Sequence, residues 1–277
     1  MNYTILHKKS IREYLAFMSL ILFTTFAHGQ LVVTSALDLG PGSLRQVIAI
    51  SPAGSVIEFS PALSDINLTS EIVIDKNITI TGSSNSDVNI NANGSSRVFL
   101  VQNGTFNITN INIQGGQAID GGGIFIESGT VVINNSSFSN CAASGASGSG
   151  GAIFIDTGGT LNCTDTSFEN CTAVRAGGAI EDNSGAGLNL TLTNVTMDNN
   201  SAVGAPGNGG GVHITGEGDS FVDACIVTNN IASAEGGGLW NGTGTMTVAN
   251  TTFNANTASG AEANQGGGGL FSAGGTT

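Results

Sequence analysis

The sequence predicts an all-β fold, a parallel β-solenoid in which short strands stack coil upon coil, with one short helix closing its start. Three observations predict it. Gly-Gly followed by Gly or Ala and then an aliphatic residue recurs six times, as GGGI, GGAI, GGAI, GGGV, GGGL and GGGL. A second block, ending in a bulky apolar residue, interleaves with the first without a miss. The composition suits short strands joined by many turns: of 277 residues 42 are Gly and 4 are Pro, with 40% hydrophobic and 10% charged. A disordered chain would carry more charge and proline and fewer aliphatics.

The first element reads as a secretory leader. Lys8, Lys9 and Arg12 form a basic region, LAFMSLILFTTFA (Leu15 to Ala27) is the apolar run, and Ala27 and Gly29 are the small residues before a cut at Gln30. That run is short for a membrane span, and no other stretch approaches the roughly 20 apolar residues a span needs. No Cys follows the cut, which argues against a lipid anchor. The domain map is therefore a leader over 1–29, a cap and irregular first coils over 30–105, and regular repeats over 106–277. Net charge is −13, and it deepens once the leader leaves, because the remaining basic residues are Arg45, Lys76, Arg97 and Arg175. Nucleic acid and anionic membrane are disfavoured as partners, since both require clustered Lys and Arg.

In the next segment Ser43 and Gln46 can form a capping box, and Leu44, Val47 and Ile48 fall on one helical face. A short amphipathic helix here would cover the open edge of the first coil, as solenoids require. EIVIDKNITITG, from Glu71 to Gly82, alternates with period two and reads as early, less regular coils.

The repeats follow. The corner aliphatics are Ile124, Ile153, Ile180, Val212, Leu239 and Leu270, and the bulky anchors are Ile113, Phe138, Phe168, Met197, Val227 and Phe253. Aligned on the anchors, five positions earlier are all apolar and three earlier are Asn110, Asn135, Asp165, Asn194, Ala224 and Asn250. Three later stand Gly116, Cys141, Cys171, Asn200, Asn230 and Asn256, and five later always Ala. If each repeat is one coil, a column in the alignment becomes a physical stack about 4.8 Å per step. Aliphatic and Phe columns fill the interior, Asn columns hydrogen-bond along the axis, and the Gly pair makes a sharp corner. The last residues, LFSAGGTT, follow a corner with no visible cap, so the chain is expected to be truncated, with an edge open to its own continuation or to self-association.

The GGAI/FxxN rhythm resembles the repeats of chlamydial polymorphic outer-membrane proteins, within the pectin-lyase-like class. GSLRQVI (Gly42 to Ile48) with IEFSP and LTSEIVIDKNITITG is similar to the CSLREAI-like opening of bacterial surface β-helix proteins, with Gly42 in place of the Cys. The resemblance implies a right-handed parallel β-helix on the surface of a bacterium.

Candidate sites are few. Cys141 and Cys171 share a column, and are either two small buried residues or, in an exported chain, a disulfide. Cys163 replaces a core aliphatic, and Cys225 falls on the parity expected to point outward. Glycine clusters lack the Gly-Lys-Ser/Thr of a phosphate loop. Asp156, Glu181, Asp182, Glu217 and Asp219 raise the question of calcium, but their spacing changes between coils, so they read as solvated surface acids; Arg175 likewise reads as surface decoration. No catalytic, cofactor or metal residue is assigned. One column does suggest binding: Phe125, Phe154, Glu181, His213, Trp240 and Phe271 follow the corner aliphatics and should point outward as a ligand-facing aromatic stripe.

These readings converge on a non-enzymatic, exported, adhesin-like rod at the cell surface, presenting a face to a glycan or a receptor on a host or neighbouring cell. The alternatives are the N-terminal part of a secreted polysaccharide lyase or glycoside hydrolase with its catalytic coils downstream, and a passive spacer.

Overall fold

One repeat shows how a coil is made. After the Gly pair, Ile124–Ile126 forms a corner strand, Gly129–Asn134 a long strand, Ser137–Ser139 the anchor strand and Ala142–Ala143 a two-residue strand. Each pairs in parallel with its counterpart one repeat later: Ile124 with Ile153, Val131 with Leu161, Phe138 with Phe168, and Ala143 with Ala173. The computed structural model describes residues 31–83, 88–262 and 265–277. Those residues form a parallel β-solenoid of about 9 turns, with four sheets: a long sheet of 9 strands, an anchor sheet of 8, a corner sheet of 8 and an alanine sheet of 6. The expected leader and its cut before Gln30 lie outside the described residues.

The single helix among the described residues, α1 (Leu44–Ile50), buries Leu44, Val47 and Ile48 as its pattern predicts. Ser43 caps it, its hydroxyl accepting from the Gln46 N–H. The return bond of the capping box is displaced by one residue. Gln46 Oε1 accepts from the Gly42 N–H at 2.7 Å, because the Ser43 N–H already donates to the Gly40 carbonyl. Gly42 itself sits at φ +76°, and a Cβ there would come within 2.2 Å of Thr34 Oγ1, which accounts for glycine at this point of the motif.

The interior follows the aligned columns. Phe138 and Phe168 stack at 4.9 Å, and Ile108, Ile133, Cys163, Leu192 and Val222 form an apolar column with no solvent exposure. Asn200, Asn230 and Asn256 form an inner amide ladder. Asn200 Nδ2 donates to Asn230 Oδ1 at 3.0 Å, Asn230 Nδ2 to Asn256 Oδ1 at 2.9 Å, and each oxygen also accepts a backbone N–H of the coil before.

The bends need two special conformations. Asn110, Asn135, Asp165, Asn194, Ala224 and Asn250, between long and anchor strands, all have φ between 48° and 56° or, for Asn135, 45°. Asn and Asp tolerate this left-handed region because their short side chains hydrogen-bond locally. The Gly pair divides its labour. The first glycine, as Gly177 at φ +60°, makes the turn; the second, as Gly178, is needed for space, since a Cβ would lie 2.1 Å from the Gly210 carbonyl oxygen and 2.5 Å from Ser201 N.

Gly178→Ala should therefore destabilise more than Gly216→Ala, where φ is +74° and nothing lies within 4 Å of a new Cβ. We expect about 1–2 kcal/mol at Gly216 from the backbone penalty and more than about 3 kcal/mol at Gly178 from overpacking against backbone, compared by urea unfolding.

Candidate functional site

The column after the corner aliphatics is brought together in register. Phe125 pairs with Phe154, Phe154 with Glu181, Glu181 with His213, His213 with Trp240 and Trp240 with Phe271. Rings on successive coils stack: Phe125 on Phe154 at 5.0 Å, His213 on Trp240 at 4.2 Å, and Trp240 near Phe271 at 6.4 Å. The turn residues Ser149, Ala176, Asn208 and Glu235 bridge one another in the same order and flank the column. Glu235 takes the Trp240 indole N–H at 2.8 Å, and the Arg97 guanidinium lies 4.9 Å over Phe125. As a result Phe154 and His213 are buried, while Phe125, Trp240 and Phe271 are half-buried and keep part of each ring open.

Two acids in this strand are not on the surface. Glu181 and Asp182 have no solvent exposure, which corrects their reading as solvated decoration. Alternation puts Glu181 on the outer side, where the turns cover it. Its Oε1 accepts from Thr215 Oγ1 at 2.6 Å and Arg175 Nη2 at 3.2 Å, with His213 Nδ1 at 3.0 Å. Arg175, two-thirds covered, is thus the ion partner of a buried carboxylate and also donates to Ser149 Oγ. Asp182 points the other way, into the core, in a column between Ile155 and Ile214. Ser184 donates twice to its Oδ1, at 3.0 Å from N–H and 2.5 Å from hydroxyl, while Oδ2 is buried without a partner. Burial raises its carboxyl above the ordinary value of 3.8, against the opposing Ser184 hydrogen bonds.

All four cysteines are buried free thiols. Cys141 and Cys171 continue the inner amide ladder downward, and the Cys171 N–H takes Asn200 Oδ1 at 2.9 Å. Burial pushes the Cys163 thiol up to about 12. Cys225, expected outside, is 1% exposed: the left-handed Ala224 adds one residue at the bend, which shifts the inward parity by one.

That same bend creates a feature the alignment did not single out. A polar trough of about 580 Å³ runs along the outside of the junction between long and anchor sheets. Ser136 and Thr166 form its floor, with hydroxyls donating to the carbonyls two residues back. Its walls carry the left-handed Asn column on one side and Asn112, Ser137, Ser167 and Thr196 on the other. The signal was present in the Asn/Asp column, but only the backbone bend turns that column into a groove.

No protein-family model matches the chain, and no curated protein matches it.

Asp182→Ile should restore the apolar column and raise stability at neutral pH by about 1–3 kcal/mol. The folded state holds the Asp182 proton more tightly than the unfolded chain, so the contribution of Asp182 to stability is greatest below about 3.8 and falls as pH rises through the higher folded value. The variant's advantage should narrow as pH is lowered towards 4 in urea titrations. Arg175→Ala should cost about 1–3 kcal/mol, tempered by the partial exposure of the guanidinium. Adding Glu181→Gln should recover part of that loss.

Proposed function

We propose that the chain is an exported, non-enzymatic, adhesin-like segment of a bacterial cell-surface protein, of the pectin-lyase-like class with polymorphic outer-membrane protein-like repeats. The observation that carries the reading is continuous pairing: parallel strands of the corner sheet pair coil to coil without interruption from Ile72 to Leu270, so that each coil holds its neighbours. Such a body resists local opening because each coil's backbone bonds are shared with the coils beside it. An acidic surface helps keep it soluble. The acid pair of the corner strand supports the non-enzymatic reading. Adjacent residues of a strand face opposite ways, so Glu181 and Asp182 cannot converge on one bond as glycoside hydrolysis requires. The open rings of Trp240 and Phe271 suit contact with a partner, since aromatic residues are enriched among binding hot spots.

Beads carrying the full chain should adhere to bacterial or host cells more than beads carrying an unrelated acidic protein. Trp240→Ala with Phe271→Ala should reduce adhesion about tenfold; equal adhesion of the two bead types refutes the adhesive role. Mass spectrometry of the exported protein should find Gln30 at its N-terminus.

A further inference from the structure

The outer amide ladder along the trough has a direction and a break. Asn110 Nδ2 donates to the Gly82 carbonyl and Asn135 Nδ2 to Asn110 Oδ1, each to the coil before. Asn194 Nδ2 donates in the same sense to Asp165 Oδ1. Asp165 stands one coil above Asn135, in register, since Asn134 pairs with Thr164 and Ser137 with Ser167. An ionised Asp has no hydrogen to give. Among the described residues no hydrogen bond joins Asn135 to Asp165, so the ladder is interrupted at this step, within the trough. Ser167 and Thr196 stand on the opposite wall, half-buried, with hydroxyls for which the described residues supply no hydrogen bond.

We propose that this trough is a binding site for a neutral, linear polysaccharide lying parallel to the solenoid axis, with a sugar hydroxyl donating into the Asn135–Asp165 gap. Amides and hydroxyls that both donate and accept match sugar hydroxyls, which do the same. The trough holds no base, and Asp165 repels anions, so uronate or sulfated chains are excluded. The coil step of about 4.8 Å is close to the advance of one sugar ring, so successive rings meet equivalent walls. An extended peptide fits less well. The trough has no free strand edge, because the backbone of both flanking sheets is already paired coil to coil, and strand addition needs such an edge. The proposal deepens the adhesin reading by naming a ligand class and a second face, distinct from the aromatic column.

Isothermal titration of the full chain with cellohexaose, mannohexaose and xylohexaose, and with hexagalacturonate as the acidic comparison, tests it. At least one neutral hexasaccharide should bind and hexagalacturonate should not. Asp165→Asn supplies the missing donor and closes the gap from within, so it should weaken binding about tenfold while leaving the protein as stable or more so. Ser167→Arg, which fills the trough from outside the core, should abolish binding with an unchanged circular dichroism spectrum, and Val203→Ser, at an exposed position outside the trough, should leave it unchanged. Absence of binding by every neutral hexasaccharide overturns the proposal, as does binding that survives both trough variants or an uncharged extended peptide that displaces the sugar. Cell adhesion measured on the same preparations separates the two ideas: adhesion without sugar binding overturns the trough and spares the rod, and sugar binding without adhesion does the reverse.

Discussion

The fold depends on a contact between backbones with no side chain between them. The second glycine of each pair lies against the alanine sheet one coil on, and a methyl at Gly151 would meet the Gly178 oxygen at 2.1 Å and the Thr172 oxygen at 2.6 Å. The same holds at Gly210 and Gly237, against Gly237 and Gly268. This approach closes the coil's cross-section and fixes where the corner aliphatic turns inward. Once that point is fixed, the parity of the next strand, and hence of the aromatic column and core, follows. Insertions fall on either side of it: the turns before the pair differ in length, as in AASGASGSG, and the long strand after it shifts register between Leu188 and Leu190, while the corner strand itself keeps register.

Where a coil departs from the pattern, its neighbours adjust locally. Asp182 replaces an Ile in the core column and recruits Ser184 to satisfy one oxygen. Glu181 replaces an aromatic in the outer column and is answered by Arg175, His213 and Thr215 from three different positions of two coils. A buried carboxylate without such partners would be strongly destabilising, whereas a paired one contributes little net stability. The cluster is thus better understood as compensation within a scaffold than as chemistry held ready.

Most of the fold was legible because a solenoid converts sequence columns into stacks. Phe138 over Phe168, the inner Asn ladder and the Gly corners all follow from alignment alone. The helix was legible from Ser43 and three apolar positions, although the reciprocal cap bond moved to Gly42. What was not legible depended on backbone geometry between the columns. Cys225 was misplaced because a left-handed residue adds one position to the parity count. Glu181 and Asp182 looked solvent-facing because nothing in their own strand shows that stacked turns cover one side and apolar neighbours the other. The trough escaped because its residues are ordinary Asn, Ser and Thr, and only the repeated left-handed bend makes them line a groove.

The two amide ladders run in opposite senses. Inside, Asn200 and Asn230 donate toward the C-terminal coils, and outside, Asn135 and Asn194 donate toward the N-terminal ones. The outer ladders also start on acids: Asp65, Asp165, Asp198 and Asp223 each accept from an Asn on the next coil. This amounts to a grammar for growth by duplication. An Asn can follow either an Asn or an Asp, because it carries the hydrogen that the coil beneath lacks. An Asp can only begin a run, so copying an Asp-bearing coil into the array writes a new interruption directly below it.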